Sequence, residues 1–270
     1  MRLRLAALVA GLGLVLPGAA VAEPLPNSMA STGDSITRAF NAGVVPFTET
    51  TWNSWSTGEL RSWTHYRRIL ASNGRIFGRN YNAARSRARM ADLERQANLA
   101  VGQRVEYVTI LMGANDACAS SEAAMTPVAA FRDQFERALA ALAAGLPQTR
   151  IYVVSIPDVY RLWLLFREDP NAVLAWSLTG FCRSLLARPT STAPADETRR
   201  QRVRERVIEY NGVLGQVCAL YVRCHFDGNA VFDYPFGRQH VSRWDYFHPS
   251  LAGQRALANV TWAVGPYSTN

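Results

Sequence analysis

Three short stretches of the chain carry residue types that could do chemistry together: Ser31-Thr32-Gly33-Asp34-Ser35-Ile36-Thr37, Gly113-Ala114-Asn115-Asp116 and Asp245-Tyr246-Phe247-His248. A serine hydroxyl is a weak nucleophile at neutral pH. It needs a base to take its proton, a group to orient that base, and donors for the oxyanion formed when it attacks a carbonyl. The second and third stretches hold an amide, carboxylates and a histidine, the types those tasks require. Taken singly, each reads as ordinary structure: Gly-Asp-Ser occurs in many turns, and an Asp-x-x-His pair is commonly a cap or a surface hydrogen bond. Taken together they read differently. The first two directly follow predicted strands and the third precedes the last predicted helix, so one sheet edge can gather all of them.

The elements that must do the gathering alternate along the chain. Strands are predicted over residues 27–32, 75–83, 105–112, 150–156 and 224–226. The third is the clearest: Val105, Tyr107, Val108, Ile110, Leu111 and Met112 are apolar almost without break, as suits a parallel strand covered on both faces. Helices are predicted over 59–71, 90–99, 127–144, most of 159–186, 196–221 and from Pro249-Ser250 to 264. In the 196–221 segment Val203, Val207, Tyr210, Leu214, Val217 and Tyr221 recur at alternating steps of four and three, one face of a helix. The run Leu162-Trp163-Leu164-Leu165-Phe166 suits a core-facing helix, with a pocket lining as the alternative. Residues 41–58, 188–195 and 227–247 read as loops. Strand–helix alternation with no repeat and no Pro/Gly/Ser-rich linker predicts one domain over 23–270. Its fold class is α/β, a three-layer α/β/α sandwich on a central parallel sheet of about five strands.

Residues 1–22 read as a cleaved secretory signal. Arg2 and Arg4 form a charged start, residues 5–16 an apolar run too short to span a bilayer comfortably, and Ala20-Val21-Ala22 a small-x-small cleavage site. No later run is long enough to cross a membrane, so the expected product is secreted. Export makes the cysteines legible. Cys118, Cys182, Cys218 and Cys224 are an even number for an oxidising compartment, which predicts two disulfides. Of the three possible pairings, Cys118 with Cys182 and Cys218 with Cys224 is favoured, because the second pair closes a short local loop. No C-x2-C spacing or suitably placed histidine supports a zinc site, so no metal and no cofactor are expected.

The net charge is +8, of which Arg2 and Arg4 contribute two, and every basic residue is arginine. Attraction to an anionic surface is the functional reading of that excess. Arg75, Arg79, Arg85, Arg87 and Arg89 cluster, as do Arg199, Arg200, Arg202, Arg204 and Arg206, the latter read as a solvated helix face. No nucleic-acid-binding module accompanies either group, so nucleic acid is not an expected partner.

With these motifs in this order, the chain resembles the SGNH, or GDSL-type, esterase and lipase superfamily over essentially its whole length after the signal. The carrying blocks are Thr32-Gly33-Asp34-Ser35, Gly113-Ala114-Asn115-Asp116 and Asp245-Tyr246-Phe247-His248-Pro249. The aromatic-rich insert and Ser155-Ile156-Pro157-Asp158 further resemble secreted actinobacterial members. The resemblance implies a flavodoxin-like SGNH fold and a Ser-His-Asp triad in which Ser35 is the nucleophile, His248 the base and Asp245 its orienter. It implies oxyanion donors at the Ser35 N–H and the Asn115 amide. One block departs: in Asn82-Ala83-Ala84-Arg85-Ser86-Arg87-Ala88, Arg87 stands where the family carries a glycine whose N–H is the third donor. Any non-proline residue can supply that N–H, but a left-handed conformation would strain an arginine there.

The expectation is therefore a secreted carboxylic ester hydrolase acting through an acyl-enzyme. Phospholipase or sugar O-acetylesterase activity on the same machinery, and a non-catalytic binding protein, are the alternatives. Its partner would be a small-molecule or lipid ester, and it would be a monomer. Trp52, Trp55, Trp244 and Tyr246, with Phe236, are expected to wall the acyl chain. Asp34 and Asp116 are expected to brace turns.

Overall fold

The computed structural model describes residues 23–268; the expected signal, residues 1–22, lies outside the described residues. Five parallel strands form one sheet in the order β2-β1-β3-β4-β5. They are β1 (Met29–Gly33), β2 (Asn80–Asn82), β3 (Tyr107–Leu111), β4 (Arg150–Val153) and β5 (Cys224–Phe226). β1 pairs with β3 in register from Met29 opposite Tyr107 to Gly33 opposite Leu111, so the Gly33 and Leu111 ends share one edge.

Side chains alternate across the sheet, which therefore has two cores. Val108 and Ile110 face one way, Tyr107 and Leu111 the other. On the first face lie α2 (Leu93–Gln103), α4 (Val128–Gly145) and α8 (Pro194–Cys218), contributing Leu93, Phe135, Leu139, Val207 and Leu214. The second face is covered by α1 (His65–Ser72) and α10 (Leu251–Ala263) through Tyr66, Ile69 and Leu257. This is a three-layer α/β/α sandwich. Between these elements lie the short α3 (Ala114–Ala117), α5 (Val159–Phe166), α6 (Pro170–Thr179), α7 (Arg183–Leu186) and α9 (Ala230–Asp233). Among the described residues no helix is long and apolar enough to cross a membrane.

The deviations from the predicted elements have local causes. The helix expected from residue 59 starts at His65, where the Thr64 side chain accepts from the Arg67 N–H. The expected strand over 75–83 shrinks to three residues because Asn73 caps a 3-10 turn at Gly74–Ile76 instead. The segment 159–186 breaks twice: Asp169 caps the new helix α6 with Pro170 in its first turn, and Gly180 ends that helix in a left-handed conformation. The arginines of α8 are no bare solvated face. Arg200 is fully buried, stacked 4.2 Å from the Trp163 ring and paired with Glu197, and Arg199 donates to the carbonyls of Ser184, Leu185 and Ala187.

Cys118 is bonded to Cys182, and Cys218 to Cys224. The first bond ties the loop after α3 to the start of α7. The second ties the end of α8 to β5.

The second core encloses the imidazole of His65, at 1 % exposure, close to Tyr107 and Tyr152. Thr261 Oγ1 donates to the Leu257 carbonyl, so His65 Nε2–H donates to Thr261 at 2.8 Å and Nδ1 accepts from the Tyr107 hydroxyl at 3.1 Å. This assigns a neutral ring. Burial, with Arg68 nearby, pushes its pKa down to about 3. The unfolded chain binds this proton near its ordinary pKa of about 6.5. Between those values the unfolded state holds a proton that the folded state refuses, so stability falls as pH drops from about 6.5 towards 3. By pH 5 the loss should be about 2 kcal/mol from this group. His65→Gln, which cannot charge, should lower Tm at pH 7 yet flatten its fall between pH 7 and pH 5. An equal fall in both proteins, followed by thermal unfolding, would remove His65 as the cause.

Candidate active site

Gly33 ends β1, and its conformation decides where Ser35 goes. Its φ is +143°, and a Cβ there would stand 2.3 Å from the Leu111 carbonyl oxygen, so only glycine lets the chain turn this close to β3. Gln96 of α2 clamps the turn: its Oε1 accepts from the Gly33 N–H at 2.7 Å and its Nε2 donates to the Gly33 carbonyl at 2.9 Å. Asp34 follows with its carboxyl buried. Oδ1 accepts from the Ile36 N–H at 2.8 Å, while Oδ2 has no partner among the described residues. Burial pushes this carboxyl up to about 7, against the pull of that N–H and of His248. It braces the turn through its bond to the Ile36 N–H.

Ser35 Oγ then lies 2.9 Å from His248 Nε2, and His248 Nδ1 lies 2.6 Å from Asp245 Oδ2. Ser35 is 8 % exposed, His248 6 % and Asp245 0 %. Asp245 and His248 meet because the chain between them makes a tight turn with Tyr246 at φ +52°. The Phe247 and His248 N–H groups both donate to Asp245 Oδ1 at 3.0 Å. Asn41 Nδ2 donates to Oδ2 at 2.5 Å. Burial alone would raise Asp245, but the His248 hydrogen bond and charge, with these N–H donors, hold it below the usual carboxylate value. A carboxylate that stays ionised while fully buried can fix the imidazole tautomer and stabilise an imidazolium.

Asn115 and Arg87 line one cavity with Ser35. The Asn115 side chain donates one Nδ2 hydrogen to the Ala88 carbonyl at 3.0 Å, which leaves the second free. Asn115 is aimed by Gly113, whose φ of +123° turns the chain out of β3 where a Cβ would stand 2.5 Å from the Ile156 side chain. The N–H groups of Ser35 and Arg87 donate to no acceptor among the described residues. Arg87 adopts φ +68°, the left-handed conformation that the sequence flagged as costly for an arginine. Asp116 is fully buried. It accepts from the Met90 N–H at 2.9 Å and the Thr126 hydroxyl at 2.7 Å, tying the segment after Ala88 to α3, and burial raises it to about 6. Asn115→Ala should lower kcat about 10²–10³-fold with KM little changed, as expected for a donor that meets only the developing oxyanion. A comparable rise in KM in steady-state kinetics would instead make it a ground-state contact.

Two cavities meet at Ser35, Asn115, Phe247 and His248. One, of about 90 Å³, is mostly apolar, with Ile36, Val159, Leu162, Leu165, Phe236 and Leu257 among its lining. The other, of about 370 Å³, is lined beyond that junction by Phe40, Arg87, Phe181 and Arg183 among others.

Of the aromatic residues expected to wall an acyl chain, only Phe236 lines the narrow cavity; Trp52, Trp55, Trp244 and Tyr246 line neither. Trp55 is fully buried in the second core, edge-on to His65 at 5.3 Å. Trp52 borders a separate surface cavity with Val44 and Val45. Trp244 is held away by its Nε1 bond to the Gly43 carbonyl and by Arg243 over its ring at 4.6 Å. The left-handed turn at Tyr246 sends that ring towards Phe166. Leu162 and Leu165 pack against the first core and also form part of the wall, while Trp163 and Phe166 of the same helix are buried. Sequence reasoning missed Asn41, Gln96 and the Ala88 carbonyl. No local pattern marks Asn41, which acts across the chain on Asp245, and Gln96 reads as a surface position until α2 is docked on β1.

A model of the GDSL-like lipase/acylhydrolase family matches residues 32–256. Among curated proteins no sequence matches. Solved structures share the fold at low identity. An extracellular lipase from Streptomyces rimosus is 15 % identical with a TM-score of 0.51, covering 88 % of this chain and 99 % of its own. Phospholipase A1 from Streptomyces albidoflavus NA297 is 16 % identical with a TM-score of 0.52, covering 89 % and 100 %. A family 3 carbohydrate esterase from Clostridium thermocellum is 12 % identical with a TM-score of 0.51, covering 87 % and 92 %.

Proposed function

The chain belongs to the GDSL-like lipase/acylhydrolase family, and from that premise we propose that it is an exported serine ester hydrolase working through an acyl-enzyme on Ser35. The observation that carries this reading is the unbroken hydrogen-bonded series Ser35–His248–Asp245 at the junction of two cavities. His248 Nε2 takes the hydroxyl proton as Ser35 Oγ attacks the ester carbonyl carbon, and Asp245 holds the ring and the imidazolium. Negative charge gathering on the carbonyl oxygen meets the Asn115 amide and the Ser35 and Arg87 N–H groups. Collapse breaks the ester C–O bond, and His248 returns its proton to the leaving alcohol. Water, deprotonated by the same nitrogen, then attacks the acyl carbon and frees Ser35.

A carbonyl at Ser35 must send its two substituents in different directions. The apolar cavity suits the acyl chain and the wider one the alcohol. Uncharged carboxylic acyl groups are thus the favoured class on the acid side. Export is supported by two disulfides, which an oxidising compartment preserves, and by the signal-like residues 1–22.

Rapid mixing with p-nitrophenyl esters tests the mechanism. A burst of one p-nitrophenol per chain before the steady rate is expected, together with labelling of Ser35 by a fluorophosphonate. Steady release with no burst and no label would point to direct water attack. Acyl-side placement has its own test. Leu162→Trp should cut kcat/KM for the octanoate ester roughly tenfold more than for the acetate. Equal losses on both would move the acyl chain out of the narrow cavity.

A further inference from the structure

The wider cavity has a chemical character that ester hydrolysis alone does not require. Arg87 and Arg183 both line it, and no carboxylate does. Neither guanidinium makes an ion pair or a side-chain hydrogen bond among the described residues. The carboxylate that reaches Ser86 on the same rim, Glu49, is engaged by Arg38 at 2.5 Å. The narrow cavity differs. Its one arginine, Arg161, is joined there by Asp34 and Asp158 and donates to the Phe236 carbonyl.

Both side chains are exposed, and the backbone fixes where each one starts. Arg87 is fixed in its left-handed conformation between Ala88, whose N–H donates to the Arg85 carbonyl, and Ser86, whose Oγ donates to Glu49. Arg183 follows Cys182 of the first disulfide directly. Ser184 after it donates its hydroxyl to the Ala117 carbonyl at 2.7 Å and its N–H to the Ala119 carbonyl at 2.9 Å. Phe181 and Phe40, on the His248 ring at 5.6 and 4.8 Å, connect this rim to the base. Guanidinium groups without acidic partners, lining one cavity with a serine hydroxyl, suit an oxyanion. Two of them match the −1.5 to −2 charge of a phosphate monoester at neutral pH.

We propose that the wider cavity is an alcohol subsite in which Arg87 and Arg183 select esters whose leaving alcohol carries a phosphate. The inference rests on the hydrolase reading above, with its acyl and alcohol sides as assigned there. Arg87 then has two tasks: its N–H faces the oxyanion and its side chain faces the alcohol. That gives a reason for an arginine to stand in a conformation that favours glycine.

The test compares kcat/KM for 1-butanoylglycerol 3-phosphate with that for 1-butanoylglycerol, both in free solution. A second arm compares dioleoyl phosphatidate with diolein in neutral detergent micelles, and p-nitrophenyl butyrate reports hydrolase activity. Wild type should prefer the phosphate ester in both arms. Arg183→Gln should lower that preference about tenfold, Arg87→Gln should lower it as well, and the double variant should abolish it. Arg183→Lys should keep part of it. Arg85→Gln, which removes a charge outside the cavity, should leave it intact. An unchanged preference in Arg183→Gln, or an equal loss in Arg85→Gln, overturns the subsite. Preference confined to micelles also overturns it, by assigning the arginines to general surface charge. If p-nitrophenyl butyrate is cleaved but wild type shows no preference, this inference fails and the hydrolase reading stands. If no ester is cleaved, the hydrolase reading fails and takes the inference with it.

Discussion

Replacing Ser35 with Ala should lower kcat on a neutral p-nitrophenyl ester by roughly 10⁵–10⁶ and abolish the burst, while leaving the fold and Tm nearly untouched. The size follows from what the hydroxyl does. In the proposed mechanism it bonds to the acyl carbon and gives its proton to His248, whose Nε2 lies 2.9 Å away. Without it the remaining donors can still polarise a bound carbonyl, which leaves a residual rate above that of water. The small effect on stability follows from position. Ser35 sits at the cavity junction, and its turn is held by Gln96 on Gly33 and by Asp34 on Ile36, not by Oγ. A loss of less than a hundredfold, with unfolding unchanged, would mean that another nucleophile or a water molecule does the work.

The candidate site residues were legible because their constraints are local. Gly33 and Gly113 mark places where a strand must turn sharply, and both turns lie at the same end of a parallel sheet whose strands announce themselves by apolar runs. Asp245 and His248 are near in sequence and meet through one turn. What the sequence hid depends on docking between distant segments. Asn41 lies 204 residues from Asp245. Gln96 is polar on a helix face that becomes buried only against β1. The tryptophans misled because large aromatic side chains favour burial as strongly as ligand contact: Trp55 joined the second core and Trp244 tied itself to the Gly43 loop. The wall of the narrow cavity came instead from aliphatic residues such as Leu162 and Leu165 on α5, where facing a core and facing a cavity give the same apolar pattern.

Asp245→Asn should lower kcat by roughly 10⁴, the scale of the same exchange in serine proteases, with KM within a few-fold. The surroundings of Asp245 say why a near-isosteric change costs so much. Oδ1 accepts two N–H groups, from Phe247 and His248, so an asparagine must keep its carbonyl oxygen there. Its amide then replaces Oδ2, where the carboxylate accepts both His248 Nδ1–H and Asn41 Nδ2–H. An amide donor opposed to Asn41, another donor, is repelled. Opposed to His248, it favours the tautomer with Nδ1 bare and the proton on Nε2. That nitrogen can no longer take the Ser35 proton, and a cationic ring would face no carboxylate. Asn41→Ala should cost far less, about tenfold, because it removes one of the donors that keep Asp245 ionised and leaves the tautomer unchanged. The proton on His248 Nδ1, far downfield in the NMR spectrum of the wild type, should vanish in Asp245→Asn and persist in Asn41→Ala. If Asp245→Asn retains a tenth of wild-type kcat, orientation of His248 comes from the Phe40 and Phe247 rings packed on it rather than from the carboxylate.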